Sequence, residues 1–262
     1  KALKEGGLRN KVLIASKGGL LWDEKHQTRN NLSKDSLLKE IDDTLTRLQT
    51  DHVDIYQMHW PDPDVPLEET AEALNMMKKA GKIRYVGLSN FSQADVEKMM
   101  EYISVDCQQG LYNMLERNPG SYHGIPLEYR TEKEVFPNVK KYGQAFLPYS
   151  PLFQGLLAGR FLDGLTISAR DIRNENPKLT GEAFKVYQDG ARKLKAFADE
   201  IGRPMNEMAL NWLRQKEEVT SIIGGASSME QLEKNLRCTE WDLTPEELGE
   251  IEKILAPFED ME

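Results

Sequence analysis

Short apolar runs rich in β-branched residues alternate along this chain with longer segments whose apolar residues recur every three or four positions. The short runs predict strands buried on both faces of a parallel sheet, and the longer segments predict the helices that cover it. The predicted strands cover residues 12–16, 53–58, 83–88, 105–108, 145–149 and 220–223. The alternation therefore predicts an α/β fold made of βα units.

Local signals predict where several helices begin and end. Ser33 is a candidate N-cap, Gly81 a helix-ending residue, and Thr244-Pro245-Glu246-Glu247 a capping box with Pro at the first helical position. The apolar stripes predicted to face the sheet are Leu37, Leu38, Ile41, Leu45 and Leu48 in one helix, and Leu67, Ala71, Leu74 and Met77 in the next. Residues 163–181 are polar and turn-rich, which predicts a long functional loop.

Length and composition narrow the class of protein. At 262 residues the prediction is a single domain spanning 1–262, and no apolar run has the ~18 residues of a membrane span. The net charge of −9 disfavours nonspecific binding to nucleic acid, which needs clustered cations. Cys107 and Cys238 form neither a CxxC motif nor a metal cluster, so we expect a reducing compartment, the cytoplasm.

Polar, aromatic or glycine residues stand at the carboxyl end of every predicted strand. They are Lys17, His59, Ser89, Asn90, Gln109, Tyr149, Ser150, Gly224 and Gly225. Each has an ordinary explanation when taken alone, such as a solvated lysine or a turn-forming asparagine. Because the carboxyl ends of parallel strands open onto one face, their coincidence predicts an active site there.

Several familiar chemistries lack their sequence signatures. No GxGxxG follows a strand, no Walker motif occurs, and there is no GxSxG nucleophile elbow. His59 has no HxxxH companion, so we predict no metal site. A dinucleotide site of the Rossmann type is therefore not indicated.

Separate motifs, in order, resemble the aldo-keto reductase superfamily, and more closely its bacterial general-stress or sugar-linked members. The matching strings are KVLIASKGG, DTLTRLQTDHVDIYQMHWPD, MKKAGKIRYVGLSNF, QQGLYNMLER, PYSPLFQGLLAGRF and GGASSMEQLEKNL. The resemblance implies a TIM barrel that binds NADPH, with NADH as the alternative cofactor, and transfers hydride to or from a carbonyl or sugar substrate.

Site residues follow from the resemblance position by position. Lys17 and His59 match catalytic residues, and Ser89, Asn90 and Gln109 match those that hold the nicotinamide amide. Tyr149 matches the residue that stacks on the nicotinamide ring. Ser150, Leu152 and Gln154 would line the pyrophosphate path, and Gly225, Ser227, Ser228, Gln231 and Asn235 would receive the adenosine end. A helix from about Met229, with Ser227 and Glu230 at capping-box spacing, would begin beside that end.

The family pattern also implies what precedes Lys1. Six predicted strands are two short of a closed barrel, and the resemblance places a proton-donating Tyr and its Asp partner ahead of the first residue. We therefore expect a longer polypeptide, and expect the 262 residues alone to be inactive.

Two alternatives remain open at this point. A catalytically inactive nucleotide-binding regulator would share the fold. A metal-dependent TIM-barrel hydrolase or isomerase would need carboxylates at the strand ends, and none stands at the six positions. Trp22, Trp60 and Tyr122 are candidate substrate walls. The sequence specifies neither the physiological substrate and direction nor the oligomeric state.

Overall fold

A computed structural model describes residues 5–25, 27–163, 168, 170–259 and 261. The chain divides into two compact units. The first comprises Lys1–Gln109 with Lys141–Gln144, and the second comprises Gly110–Lys140 with Ala145–Glu262. That these units form a single domain stays a prediction.

Parallel strands and connecting helices make up the first unit. Its strands are β1 (Ala15–Gly18), β2 (Leu20–Trp22), β3 (Thr28–Asn30), β4 (Val53–Met58), β5 (Ile83–Ser89) and β6 (Cys107–Leu111), the last of which continues into the second unit. Its helices are α1 (Lys34–Leu48), α2 (Leu67–Lys79) and α3 (Gln93–Met100). Strands β1, β4, β5 and β6 are parallel neighbours in that order, whereas β2 and β3 form a separate antiparallel hairpin.

Helices dominate the second unit. Its elements are β7 (Ser121–Tyr122), β8 (Ile125–Pro126), α4 (Phe136–Tyr142), β9 (Ala145–Tyr149), α5 (Gly181–Glu200), α6 (Met205–Arg214), α7 (Met229–Leu236) and α8 (Pro245–Leu255). The last two residues of α4 belong to the first unit, and a π-helical turn at Thr131–Val135 leads into α4. Tyr112 lies in its core and makes ring contacts with Phe136, Phe146 and Trp212 at centroid separations of 5.0, 6.3 and 5.5 Å. Interlocking aromatic side chains thus supply much of the buried apolar area.

The predicted strands are confirmed at five places and wrong at the sixth. Residues 53–58 and 145–149 match β4 and β9, while β1, β5 and β6 are shifted or extended by a few residues. Residues 220–223 form no strand. An isolated bridge joins Phe146 to Val219, and the Ile223 N–H donates to the Pro148 carbonyl. Pro148 has no N–H to donate in return, so the ladder cannot extend.

The helix predictions are mostly confirmed. Gly81 follows α2 with φ of +72°, and Thr244 forms the complete capping box of α8. Ser33 stands at the N-cap of α1, although its side chain makes no capping hydrogen bond. The apolar stripe predicted for α1 includes one residue too many, because Leu48 in the final turn of the helix is exposed. The stripe of α2 is confirmed, since Ala71, Leu74 and Met77 are buried and Leu67 packs against the same core.

The long polar loop predicted over residues 163–181 contains short 3-10 turns at Ile172–Glu175 and Pro177–Leu179. Residues 164–167 and 169 of that prediction lie outside the described residues. Asp171 and Asn176 cap the two turns by accepting hydrogen bonds from the backbone N–H groups of Arg173 and Lys178. The part of the loop nearest α5 is therefore locally ordered by its own side chains.

Within the described ranges, none of the helices combines the length and the apolar character needed to cross a bilayer.

Candidate active site

The carboxyl ends of four strands are tied together in the first unit. The His59 N–H donates to the Gly18 carbonyl at 3.0 Å, and the Asn90 N–H donates to the Gln109 carbonyl at 3.2 Å. The Asn90 Nδ2–H also donates to the His59 carbonyl at 3.2 Å. These bonds place the ends of β1, β4, β5 and β6 at one edge, as the parallel arrangement predicts.

Lys17 and His59 share an electrostatic environment at this edge. Burial lowers the pKa of Lys17 below its ordinary value, and a smaller contribution from Cys107 raises it. Burial also lowers the pKa of His59, and the nearby positive charge of Lys17 lowers it further. Both effects favour the neutral form of His59 near pH 7, in which one ring N–H is available as a donor.

A tightly packed row of side chains lies in register with Lys17. Lys17 pairs with Gln57, Gln57 with Gly87, and Gly87 with Cys107 across the four strands. A Cβ on Gly87 would come within 2.6 Å of Cys107 Sγ and 2.7 Å of Gln57 Cγ. Glycine is required there, because the side chains of its two neighbours fill the space above it. Burial raises the pKa of the Cys107 thiol to about 12, so this cysteine stays protonated.

Three amide and hydroxyl side chains form the polar part of the edge. Ser89, Asn90 and Gln109 are all buried, and the Asn90 Nδ2–H donates to Ser89 Oγ at 3.2 Å. Asn90 adopts φ of +65°, a strained conformation that Asn tolerates better than most residues. Gln109 Oε1 is buried without a hydrogen-bond partner among the described residues. A buried acceptor of this kind is costly unless a ligand supplies the donor.

A cavity of about 840 Å³ lies in the second unit. Its volume falls in the range of small-molecule sites. The lining includes eight of the residues predicted to bind cofactor, namely Ser150, Leu152, Gln154, Gly225, Ser227, Ser228, Gln231 and Asn235. Arg160, Asn206, Glu230 and Lys234 also line it. The sequence analysis predicted none of these four as cofactor-binding residues, although Arg160, Glu230 and Lys234 lie within motif strings that carried the family resemblance and Glu230 was named as a capping residue.

The segment that follows β9 has an unusual backbone. Ser150, Phe153 and Gln154 have φ of +54°, +43° and +53°, in a region that L-residues rarely occupy. Each such residue costs about 1–3 kcal/mol and persists only when its surroundings hold it there. Because Ser150 and Gln154 line the cavity, the strain lies at the candidate binding surface itself.

The start of α7 corrects one prediction. Ser228, not Ser227, is the N-cap, and its side chain accepts from the Gln231 N–H. Ser227 instead donates from both N and Oγ to Gln231 Oε1, at 2.8 and 2.9 Å. Ser228 lies one residue nearer the helix, where its oxygen reaches the third helical N–H. The Asn235 Nδ2–H donates to the Gly225 carbonyl at 3.3 Å and ties the glycine pair to the same helix.

Tyr149 and the candidate wall residues have different degrees of exposure. Tyr149 is partly buried, and Tyr122 contacts it edge-on with ring centroids 5.1 Å apart. Burial and the neighbouring Tyr129 hydroxyl raise the pKa of Tyr149. Trp22 is 70% exposed, whereas Trp60 is partly buried. Across the described ranges, no three His, Cys, Asp or Glu side chains gather in a way that could hold a metal ion.

The sequence matches the model of the Aldo/keto reductase family over residues 1–256. The chain therefore belongs to this family of oxidoreductases, which confirms the resemblance and the TIM-barrel fold class. Aldo-keto reductase YhdN from Bacillus subtilis (strain 168) is 34% identical over 256 residues, covering 97% of this chain and 73% of that protein.

Two further relatives carry names that state an activity. L-glyceraldehyde 3-phosphate reductase from Escherichia coli (strain K12) is 31% identical over 264 residues, covering 96% of this chain and 72% of that protein. A solved structure of the glycerol dehydrogenase AKR11B4 from Gluconobacter oxydans matches with a TM-score of 0.83 at 29% identity, covering 97% of this chain and 75% of that one. This chain thus spans about three quarters of the length of its relatives.

Proposed function

We propose that this protein binds a nicotinamide dinucleotide and interconverts an aldehyde or ketone with the corresponding alcohol. The observation that carries the proposal is that Gln109 Oε1, at the same sheet edge as Lys17 and His59, is buried without a hydrogen-bond partner among the residues that the structure describes. A primary carboxamide donates two N–H bonds, so the nicotinamide amide group fits this acceptor.

Each part of the cofactor has candidate residues. Ser89, Asn90 and Gln109 would hold the nicotinamide amide, and Tyr149 would stack on the ring. The pyrophosphate path would follow Ser150, Leu152 and Gln154, and the adenosine end would meet Gly225, Ser227, Ser228, Gln231 and Asn235. The last two sets fit because all eight residues line one cavity of suitable size.

The chemistry divides between the cofactor and the chain. When bound, the reduced nicotinamide supplies the hydride. In its neutral form, which is favoured near pH 7, His59 would donate its ring N–H to the carbonyl oxygen, where negative charge develops during reduction. Lys17 would place positive charge beside the group that donates the proton, which stabilises the conjugate base of that group.

Tyr112 does not fit the role of proton donor. Its hydroxyl is buried and donates to Glu132 Oε1 at 2.6 Å, and burial together with Glu132 raises its pKa. Tyr149 is assigned to stacking. The expectation that a Tyr and an Asp preceding Lys1 complete the proton-transfer site stays a prediction.

NADPH is the proposed cofactor, with NADH as the alternative. Arg160 and Lys234 line the cavity and provide cations for an additional phosphate. Glu230 lines the same cavity and pairs with Lys234 at 2.7 Å, which weakens the attraction. The preference for NADPH over NADH should therefore be modest.

A small polar carbonyl is the proposed substrate class. Two relatives are named for L-glyceraldehyde 3-phosphate and glycerol, both short and oxygen-rich. Cys107 and Cys238 are buried free thiols, which suits a reducing compartment, so the proposed location is the cytoplasm.

A binding titration tests the proposal directly. The fluorescence of NADPH and of NADH is followed as each is titrated into the protein, and a panel of aldehydes, ketones and sugars is then assayed with the cofactor that binds. Tyr149→Ala should weaken binding by about 2- to 10-fold through lost stacking, and Tyr149→Phe should retain it. A parent protein that binds neither dinucleotide would refute the proposal.

The second candidate is a dinucleotide-binding protein without turnover. It is favoured by one observation, that the Tyr112 hydroxyl is committed to Glu132 and leaves the proton donor unassigned. Saturable NADPH binding without turnover of any carbonyl in the panel would select this candidate over the enzyme.

A further inference from the structure

A buried ion pair in the second unit has no part in the proposed chemistry. Lys178 Nζ lies 2.8 Å from Glu116 Oε1, and the two side chains are only 6% and 4% exposed. Lys178 Nζ also donates to the Ser121 carbonyl at 2.8 Å. A buried ion pair of this kind contributes little net stability, because desolvation offsets the attraction, yet removing one partner is strongly destabilising. The pair therefore acts mainly to hold particular segments together.

One connection from the pair leads to the cavity through Asn113. The Asn113 Nδ2–H donates to Glu116 Oε2 at 2.7 Å and to the Ser150 carbonyl at 3.1 Å. Its Oδ1 accepts from the backbone N–H groups of Leu115 and Glu116, which fixes the orientation of the amide. Ser150 is the first of the strained residues that line the cavity. A single amide thus joins the ion pair to the strained segment.

A second connection starts from the same loop and reaches Gln154. Asn176 accepts from the Lys178 N–H at 3.0 Å, and its Nδ2–H donates to Gln154 Oε1 at 3.4 Å. The Arg173 guanidinium donates to the Gln154 carbonyl at 3.3 Å. His123, which precedes Gln154 in the sequence, also contacts the Gln154 side-chain amide. The last strained residue is therefore held by side chains on both flanking segments.

We propose that Lys178, Glu116 and Asn113 are positioning residues that hold the strained segment from Ser150 to Gln154 in the conformation that retains the dinucleotide. These three residues are called the clasp below. The inference rests on the proposed function, since it assumes that the cavity receives the cofactor. The clasp shapes the binding surface from behind, and its loss should let the segment relax to ordinary backbone conformations.

Dissociation of the cofactor is the step that the clasp should control. A binding surface that is held in place before binding lowers the dissociation rate more than it changes association. Opening the clasp should accelerate release of NADPH by about 5- to 100-fold, the range typical of coupling between neighbouring sites. The rate of association should change less.

Stopped-flow fluorescence with excess NADP⁺ as the displacing ligand measures this rate. Lys178→Met removes the charge, and Lys178→Arg, which retains it, should restore most of the slow release. The double variant Lys178→Met/Glu116→Gln leaves no uncompensated buried charge, so it should regain stability yet keep the fast release. Faster release together with restored stability is a result that a merely structural role would not produce.

Glu252→Gln is the matched control. Glu252 accepts from Arg117 and Trp212 in the same unit, so this variant also weakens a charged network, but Glu252 does not line the cavity. We expect its release rate to equal that of the parent protein. Release at the parental rate in the double variant would overturn the proposal, as would equal acceleration by Glu252→Gln.

Asn113→Ala provides the test if the charge variants fail to fold. It leaves Lys178 and Glu116 paired but removes the donor to the Ser150 carbonyl, so fast release is again expected. Unchanged release would overturn the clasp and leave the proposed function standing, whereas a parent protein without cofactor binding would overturn both.

Discussion

Removing a buried tyrosine hydroxyl should lower the stability of the protein at one position and raise it at another. Tyr56 and Tyr112 both have 0% exposure, and Tyr→Phe removes the same atom from each. The Tyr112 hydroxyl donates to Glu132 at 2.6 Å. Tyr56 Oη is buried without a hydrogen-bond partner among the described residues. We therefore expect Tyr112→Phe to destabilise the protein and Tyr56→Phe to stabilise it.

The magnitudes follow from these two environments. A hydrogen bond to a charged acceptor contributes about 1.5–3 kcal/mol, so Tyr112→Phe should lower the free energy of unfolding by that amount. An unsatisfied buried hydroxyl costs about 1–3 kcal/mol, so Tyr56→Phe should recover part of this, less the packing lost with the oxygen. The neighbouring Gly18 supports the assignment, because a Cβ there would overlap Tyr56 Oη. The hydroxyl is thus enclosed against backbone.

Urea unfolding of the parent and both variants, followed by circular dichroism, measures the difference in midpoint and slope. Gly18→Ala should destabilise by about 1–3 kcal/mol through overpacking, and Tyr56→Phe should partly rescue it. Equal destabilisation by Tyr56→Phe and Tyr112→Phe would refute the reasoning, as would strict additivity of Gly18→Ala with Tyr56→Phe.

Three further predictions concern charge. Lys17→Met should raise the pKa of His59 towards its ordinary value, because the positive charge that lowers it is removed; an NMR titration of the imidazole that shows no rise would contradict their proximity. Because the pKa of His59 is lowered in the folded protein, the unfolded chain binds more protons than the folded protein below about pH 6.5. The free energy of unfolding should therefore fall as the pH drops through that range. Urea midpoints measured across pH 5–7.5 should show a smaller fall in His59→Asn than in the parent protein. Glu230→Gln should free Lys234 and increase affinity for NADPH by about 2- to 5-fold with NADH unchanged, whereas the exposed control Glu250→Gln should alter neither titration.

Local signals in the sequence predicted most of the elements and the candidate residues at the strand ends. Alternation of β-branched runs with helical stripes located β4 and β9 at their observed bounds, and the residues at strand ends included Lys17, His59 and Asn90. Such signals work because side-chain periodicity and capping depend on neighbours only a few residues away. The same reasoning failed at residues 220–223, where partner Pro148 lacks the N–H that a ladder requires.

Only the tertiary structure revealed the buried contacts beside the candidate cavity. Glu116 lies in a motif string that carried the family resemblance, and Lys178 lies in a loop with no clear period, yet nothing in either segment indicated that they form a buried pair 62 residues apart. Nothing in the sequence indicated that Gln109 Oε1 would lack a partner among the described residues, or that Ser150 would have a positive φ. Pairing, burial and strain depend on which distant segments the folded chain brings into contact. A charged residue that the sequence predicts to be exposed to solvent can therefore be buried in the fold.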